Sequence, residues 1–465
     1  MTAQARVAIE ALMARARAAQ ERFCAADQAG VDEAVRALAW SVYKPEHARK
    51  LAELAVADTG LGNVPDKFDK NQRKTFGTLR DLLRVKSVGV IEEMPERGIV
   101  KYAKPVGVVG AVTPSTNPAA TPVNKAMMAV KGRNAIVVAP SPLGYRTTAC
   151  TVELMRAELQ KIGAPPDLVQ TVGEPVTKEL TQALMEAADL VVVTGSQDNV
   201  RRAYASGTPA IGVGAGNVPV IDETAELAAA AARICASKSF DNATSCSSEN
   251  AIVILDEIYD AAMAALQAAR GYRCGENETR RIEQLLWRNG RLDRDLIARD
   301  AAVLARAFDL PPAAASAKFF MVEQTGVGRA YPLSGEKLSL VISVYRARDF
   351  DDAKERVRAI LAFQGRGHSC GIHTRNMDRA RELASELDVV RVLVNFAHAF
   401  ANGGGFDSGL NFTLSMGCGT WQKNSISENL CYRHFLNITH LVVPIPEDRP
   451  DEEALFGPHW SKYGR

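Results

Sequence analysis

No stretch of this chain stays apolar for the 18 or so residues that a membrane-crossing helix needs, and no C-x-x-C pair occurs among its cysteines at 24, 150, 235, 246, 274, 370, 418 and 431. The first absence excludes a membrane span. The second, with the cysteines scattered along 465 residues, argues against a zinc knuckle or a disulfide framework and fits a reducing cytoplasm. His368 and His373 are joined by no acidic cluster at ligand spacing, so no metal is expected. Charge of one sign is missing too. The formal net charge is +2 and no basic tail is present, so no field gathers nucleic acid. The Ala/Arg-rich segment from Met1 to Arg17 has no central apolar block or cleavage site. It reads as a helix rather than a signal peptide, and Glu10 argues against a transit peptide. A full G-x-G-x-x-G is also lacking, so the standard dinucleotide fingerprint carries no argument.

What is present is ordinary globular material, 47% hydrophobic and 24% charged, in a chain long enough for two or three cored domains. Helical blocks are expected over 8–26, 31–57 and 66–83, the second stopped by Asp58-Thr59-Gly60-Leu61-Gly62-Asn63. Val88 to Glu93 and Ile99 to Ala103 read as a hairpin arm, either crossing to a neighbouring subunit or lying at the edge of its own domain. From Pro105 short apolar strands alternate with longer helices, the pattern of a parallel sheet covered on both faces. The fold class is therefore α/β, with a doubly wound domain whose ligands sit outside the carboxyl ends of its strands. The second half repeats the style, with helices expected at 258–269, 276–287, 293–304, 351–361 and 377–387. The segment 402–429 is dense in Gly, Ser, Thr and Asn, but its Phe and Trp argue for order, and a strand is expected near 438–443. The expected domains are 1–237 for a cofactor (with the arm at 88–104), 238–415 for catalysis, and 416–465 returning to the first.

Several local features invite chemistry. Cys246 lies in Ser239-Phe240-Asp241-Asn242-Ala243-Thr244-Ser245-Cys246-Ser247-Ser248-Glu249-Asn250, a polar turn where a thiolate can be exposed and stabilised. Its own N–H can supply half of an oxyanion hole, and the bland alternative is a half-buried structural thiol. Thr113-Pro114-Ser115-Thr116-Asn117-Pro118 ends the first apolar strand. Asn117, held extended by the following proline, can donate to an oxygen or merely cap a helix. Gly195-Ser196 opens a helix after a strand, an anion site or a plain βαβ turn. Ile211-Gly212-Val213-Gly214-Ala215-Gly216-Asn217 lets something approach the backbone closely. His368, between glycines, is a base, a phosphate donor or a packing residue.

In this order the pieces resemble the aldehyde dehydrogenase superfamily, in its CoA-acylating branch, from about Thr59 to Asn437. The matching stretches are Thr59 to Val64, Thr113 to Pro118, Ile211 to Pro219, Phe240 to Glu249, Glu336-Lys337-Leu338-Ser339, Gly367-His368, and Gly417-Cys418-Gly419-Thr420-Trp421 through Ser427-Glu428-Asn429. The resemblance implies that Cys246 attacks an aldehyde while Asn117 and the Cys246 N–H hold the oxyanion. It implies hydride transfer to NADP or NAD, and coenzyme A as the acyl acceptor. The carboxylate that activates water in hydrolytic relatives is replaced here by Gly212, and His368 is the candidate base for CoA or a cofactor-positioning group. The implied cofactor-binding set is Thr113, Pro114, Ser141, Arg146, Gly195, Ser196, Gly214 and Glu336, with Ser141 and Arg146 leaving room and charge for a 2′-phosphate. The arm implies a homodimer or homotetramer. The cysteine loop resembles members acting on short anionic aldehydes, sulfoacetaldehyde first, then succinate semialdehyde or acetaldehyde. Hydroxyls at Thr244, Ser245 and Ser247 are candidates for the head group, or they simply satisfy the backbone. An acyl-phosphate reductase is the lower-ranked alternative.

Overall fold

The computed structural model describes residues 3–214, 216, 218–288 and 290–465. Two parallel sheets organise it. The first has five strands in the spatial order Val169–Thr171, Ala135–Pro140, Val108–Thr113, Leu190–Val193, Ala210–Ile211. Its two central strands are buried at every position, which is why they read as unbroken apolar runs rather than alternating ones. Helices Ala120–Lys131, Tyr145–Lys161 and Lys178–Ala187 connect and pack on it.

The second sheet has seven parallel strands, ordered Gly271–Arg273, Phe319–Glu323, Val341–Ala347, Ala251–Leu255, Val218–Ile221, Gly367–His373, Val389–Val394. Val218–Ile221 joins it beside its central strand, ahead of the boundary expected at 237. The third sheet is antiparallel: hairpin Gly89–Met94 and Ile99–Pro105, extended by Leu436–Val442, whose residues are mostly exposed.

The helical block expected over 31–57 is two helices, Gln28–Tyr43 and Pro45–Thr59. Pro45 has no N–H to continue the first, and serves instead as the opening residue of the second. The helix expected over 293–304 forms only at Ala301–Ala307, because Ala298 sits at φ +52° and Asp300 is extended. Helix Glu452–Tyr463, which carries Pro458 inside it, was not anticipated; the Asp451 side chain accepts from the Ala454 N–H to start it. Segment 402–429 is ordered, with Phe412, Met416 and Cys418 buried in it.

No described helix is long and apolar enough to cross a membrane. All eight cysteines are free thiols. Glu428, Cys431 and His434 bring potential ligand atoms within 4.8 Å of one another. The histidine is engaged within the chain, accepting from the Cys431 N–H at 3.0 Å and facing Glu428 at 3.2 Å.

Candidate active site

Parallel strands bring together everything that enters the sheet at one edge. Gly214 precedes Val218–Ile221, Cys246 precedes Ala251–Leu255, Glu336 precedes Val341–Ala347, and His368 opens Gly367–His373. All four therefore gather at the amino edge of the seven-stranded sheet. Thr113, Ser141 and Gly195 follow their strands and lie at the carboxyl edge of the five-stranded sheet. Contacts tie the two edges. The Gln197 side-chain amide donates to the Val213 carbonyl at 3.0 Å, and the Thr194 and Ser415 hydroxyls meet at 2.5 Å. The candidate residues are thus distributed over two edges that touch each other.

Cys246 keeps part of its surface exposed. Among the described residues its backbone N–H makes no hydrogen bond, which leaves it free to serve an oxyanion. Burial pushes its thiol up to about 12, with Glu336 and Cys418 adding to the rise; a bond to Ser247 and the charge of Arg391 oppose it. The thiol is therefore protonated at neutral pH and must lose its proton as it reacts.

Glu336 stands beside this thiol. Burial raises its carboxyl to about 7 against the pull of Lys238 and Lys337, and one of its oxygens is buried without a partner. Replacing Glu336 by Gln removes an anion that opposes the thiolate. Alkylation of Cys246 by iodoacetamide is then expected to speed up by about three- to tenfold at pH 8, one pKa unit being tenfold in thiolate. Because Glu336 itself titrates near 7, the difference should fade below about pH 6, where the wild-type carboxyl is also neutral. A rate ratio that is flat with pH would show that the two groups do not interact.

His368 is fully buried. Its Nδ1 lies 2.7 Å from the Ser369 hydroxyl, and its Nε2 has no partner among the described residues. Burial, with Arg391 and His398, holds its pKa well below the usual 6.5, so the ring is neutral and one nitrogen is available to accept a proton. The Asn402 amide reaches Ser369 Oγ at 3.1 Å, His368 Nδ1 at 3.4 Å and Ser247 Oγ at 3.4 Å. It thus links the imidazole to the residue after Cys246.

Asn117 lines a small cavity with Lys67 and Lys70, and among the described residues its amide bonds only to the Thr116 hydroxyl, at 3.4 Å. Ser141 donates its N–H to the Thr113 carbonyl at 3.0 Å, and Gly195, at φ +150°, adjoins Pro114. Ser196 caps helix Gln197–Ala205, and the turn is exposed. Arg146 is mostly exposed and reaches Asp58 at 3.4 Å. The fit to a dinucleotide is supported by an orphan, the buried and unpartnered Thr113 hydroxyl at this edge, together with the open helix start next to it.

Gly214, of the implied cofactor-binding set, packs beside the thiols: a Cβ there would meet Gln422 and come within 2.7 Å of Cys418 Sγ. A Cβ at Gly212 would lie 2.5 Å from Val200 and 3.1 Å from Tyr204, so the position aims at the Gln197–Ala205 helix and has no room for a carboxylate. Ala215 and Asn217 of the same stretch lie outside the described residues. The Thr244 hydroxyl is spent on Asp241, and that of Ser247 on Met416, so neither is free for a head group.

Sequence reasoning gave no role to Arg391, a buried guanidinium that donates to the carbonyls of His368 at 2.9 Å and Gly417 at 3.1 Å and to Asn429 at 2.9 Å. An arginine inside the apolar run Val389–Val394 was the signal for it.

The aldehyde dehydrogenase family matches residues 1–282. The sulfoacetaldehyde dehydrogenase (acylating) of Cupriavidus necator is 51% identical over 460 residues, covering 98% of this chain and 93% of that one. The chain belongs to the aldehyde dehydrogenase family, in its CoA-acylating branch. It is an enzyme of the NAD(P)-dependent acylating class. The succinate-semialdehyde dehydrogenase (acetylating) of Clostridium kluyveri is 38% identical, covering 97% of this chain and 99% of its own. An acetylating aldehyde dehydrogenase from Geobacillus thermoglucosidasius superposes with a TM-score of 0.91 at 32% identity, covering 96% of this chain and 99% of that one.

Proposed function

We propose that this enzyme oxidises sulfoacetaldehyde with NAD(P)+ and coenzyme A to the acyl-CoA. The observation that carries the substrate is the 51% identity to a sulfoacetaldehyde enzyme over nearly the whole of both chains. Succinate semialdehyde is the second reading, favoured by the 38% identical relative.

In this reading the Cys246 sulfur attacks the carbonyl carbon, and its proton passes to water, which the partly exposed side chain admits. The new oxyanion is held by the free Cys246 N–H and the Asn117 amide. NAD(P)+, when bound, would supply the hydride acceptor; Thr113, Pro114, Ser141, Gly195, Ser196 and Gly214 would hold it, with Glu336 at the reacting end and Arg146 available to a 2′-phosphate. An acyl-cysteine remains. Water has no base at Gly212, where a side chain does not fit. The acceptor is then the intrinsically more nucleophilic thiolate of CoA, and the neutral His368 imidazole takes the proton from the CoA thiol. The CoA sulfur adds to the acyl carbon, and the carbonyl re-forms as the bond to Cys246 breaks and its thiolate departs. We also assign the arm 88–104, with strand Leu436–Val442 paired to it, to a homodimer or homotetramer contact.

A panel of sulfoacetaldehyde, succinate semialdehyde and acetaldehyde, with NAD or NADP and with or without CoA, tests this. Steady-state reduction should require CoA, and kcat/KM should favour sulfoacetaldehyde by at least about tenfold, the discrimination one good polar contact provides. Sustained turnover without CoA would overturn the acylation step, and a preference for either other aldehyde would overturn the substrate.

A further inference from the structure

We propose that Asp241, gripped by Lys67 and Lys70, is a positioning residue that sets the Cys246 loop against the Asn117 loop. The inference rests on the reading of Cys246 as nucleophile and concerns how it is aimed.

Asp241, Asn242 and Ala243 are three successive non-glycine residues at φ +50°, +53° and +58°. Such residues resist the left-handed region, and a run of them persists only where the surroundings over-determine it. The surroundings here are specific. Asp241 is fully buried. One of its carboxylate oxygens accepts from the Asn63 N–H at 3.1 Å. The other accepts from Lys67 Nζ at 3.1 Å, Lys70 Nζ at 2.5 Å and the Thr244 hydroxyl at 2.7 Å. Its own N–H donates to Asp66 Oδ2 at 2.7 Å. Burial works against its ionisation, but the two ammonium groups outweigh that and hold its pKa below the usual range.

The grip reaches both halves of the site. Lys67 Nζ also donates to the Thr116 carbonyl at 3.0 Å, one residue before Asn117, and Lys70 Nζ reaches Thr244, two residues before Cys246, at 3.3 Å. The stretch Thr59 to Val64 is the wall of the same socket: a Cβ at Gly62, itself at φ +71°, would fall 1.8 Å from Asp241 Oδ1. Both lysines lie on helix Val64–Leu83, which belongs to neither loop, so one rigid element fixes the nucleophile and its oxyanion partner together.

Asp241→Asn and the milder Thr244→Val test this, each assayed for kcat, cofactor KM, thermal midpoint and stoichiometric alkylation of Cys246. For Asp241→Asn, kcat should fall about 100-fold, the cost of a displacement near an ångström, with cofactor KM within about threefold and full alkylation of Cys246. For Thr244→Val a fall of about fivefold at an unchanged midpoint is expected. Adding Lys67→Met to Asp241→Asn removes one uncompensated buried cation, and should raise the midpoint without restoring kcat. The proposal is overturned if Asp241→Asn keeps a kcat within about threefold of wild type, or if the lost activity equals the lost fraction of alkylatable Cys246. If Asp241→Asn does not fold, Thr244→Val decides: wild-type kcat overturns the proposal. None of these results bears on whether Cys246 is the nucleophile, which its own replacement decides.

Discussion

Cys246→Ala is expected to lower steady-state reduction of NAD(P) by at least about 10⁴-fold, because no other group of the site can form the thioester on which both half-reactions depend. Cys418 is a second thiol that acts on Cys246 electrostatically. It cannot substitute: it is fully buried, and Gly214 packs against its sulfur. Cofactor binding should survive, since Thr113, Ser141 and Gly195 sit on the opposite edge. The thermal midpoint should barely move, since the lost side chain is small and partly exposed. Single-turnover reduction by the variant, followed by fluorescence of the reduced cofactor, is the measurement. A residual rate within a hundredfold of wild type would remove Cys246 from the mechanism.

His368→Asn should separate the two half-reactions. Asparagine keeps a polar group where Nδ1 meets Ser369 and Asn402 but lacks the basic imidazole assigned to the CoA proton. Loss of a general base costs about 10²- to 10⁴-fold. The expected trace is a burst of about one reduced cofactor per subunit followed by slow turnover, because acylation proceeds and transfer to CoA does not. Raising the pH should partly restore the slow phase, since more CoA is then already thiolate. Loss of the burst together with turnover would place His368 in the first half-reaction instead, and wild-type turnover would give it no chemical role.

The parallel sheets were legible because strands such as Val108–Thr113 and Ala251–Leu255 are buried throughout and interrupted by helices of ordinary length. The cysteine loop was legible because its polarity contradicts packing. The Asp241 socket was not. Lys67 and Asp241 are 174 residues apart, and nothing local in either segment distinguishes a buried ion pair from two solvated charges. The split at Pro45 was available in the sequence and outweighed there by the surrounding helical pattern. The late start of Ala301–Ala307 was hidden, because Ala298 at φ +52° is dictated by tertiary contacts: its carbonyl accepts from Gly62 and from Asn242. Side-chain roles at Gly212 and Gly214 depended on which way a Cβ points, and that follows only from the packed backbone.

The three-stranded arm has a consequence for the life history of the chain. Leu436–Val442 pairs along its length with Ile99–Pro105, yet it is made only after both parallel sheets have left the ribosome. The hairpin strand therefore waits with one edge open through most of synthesis, and a two-stranded ribbon is marginal by itself. Such a pairing is among the slowest contacts for a chain to close. Any assembly built on that sheet is thereby reserved for molecules whose chemistry-bearing domains are already complete.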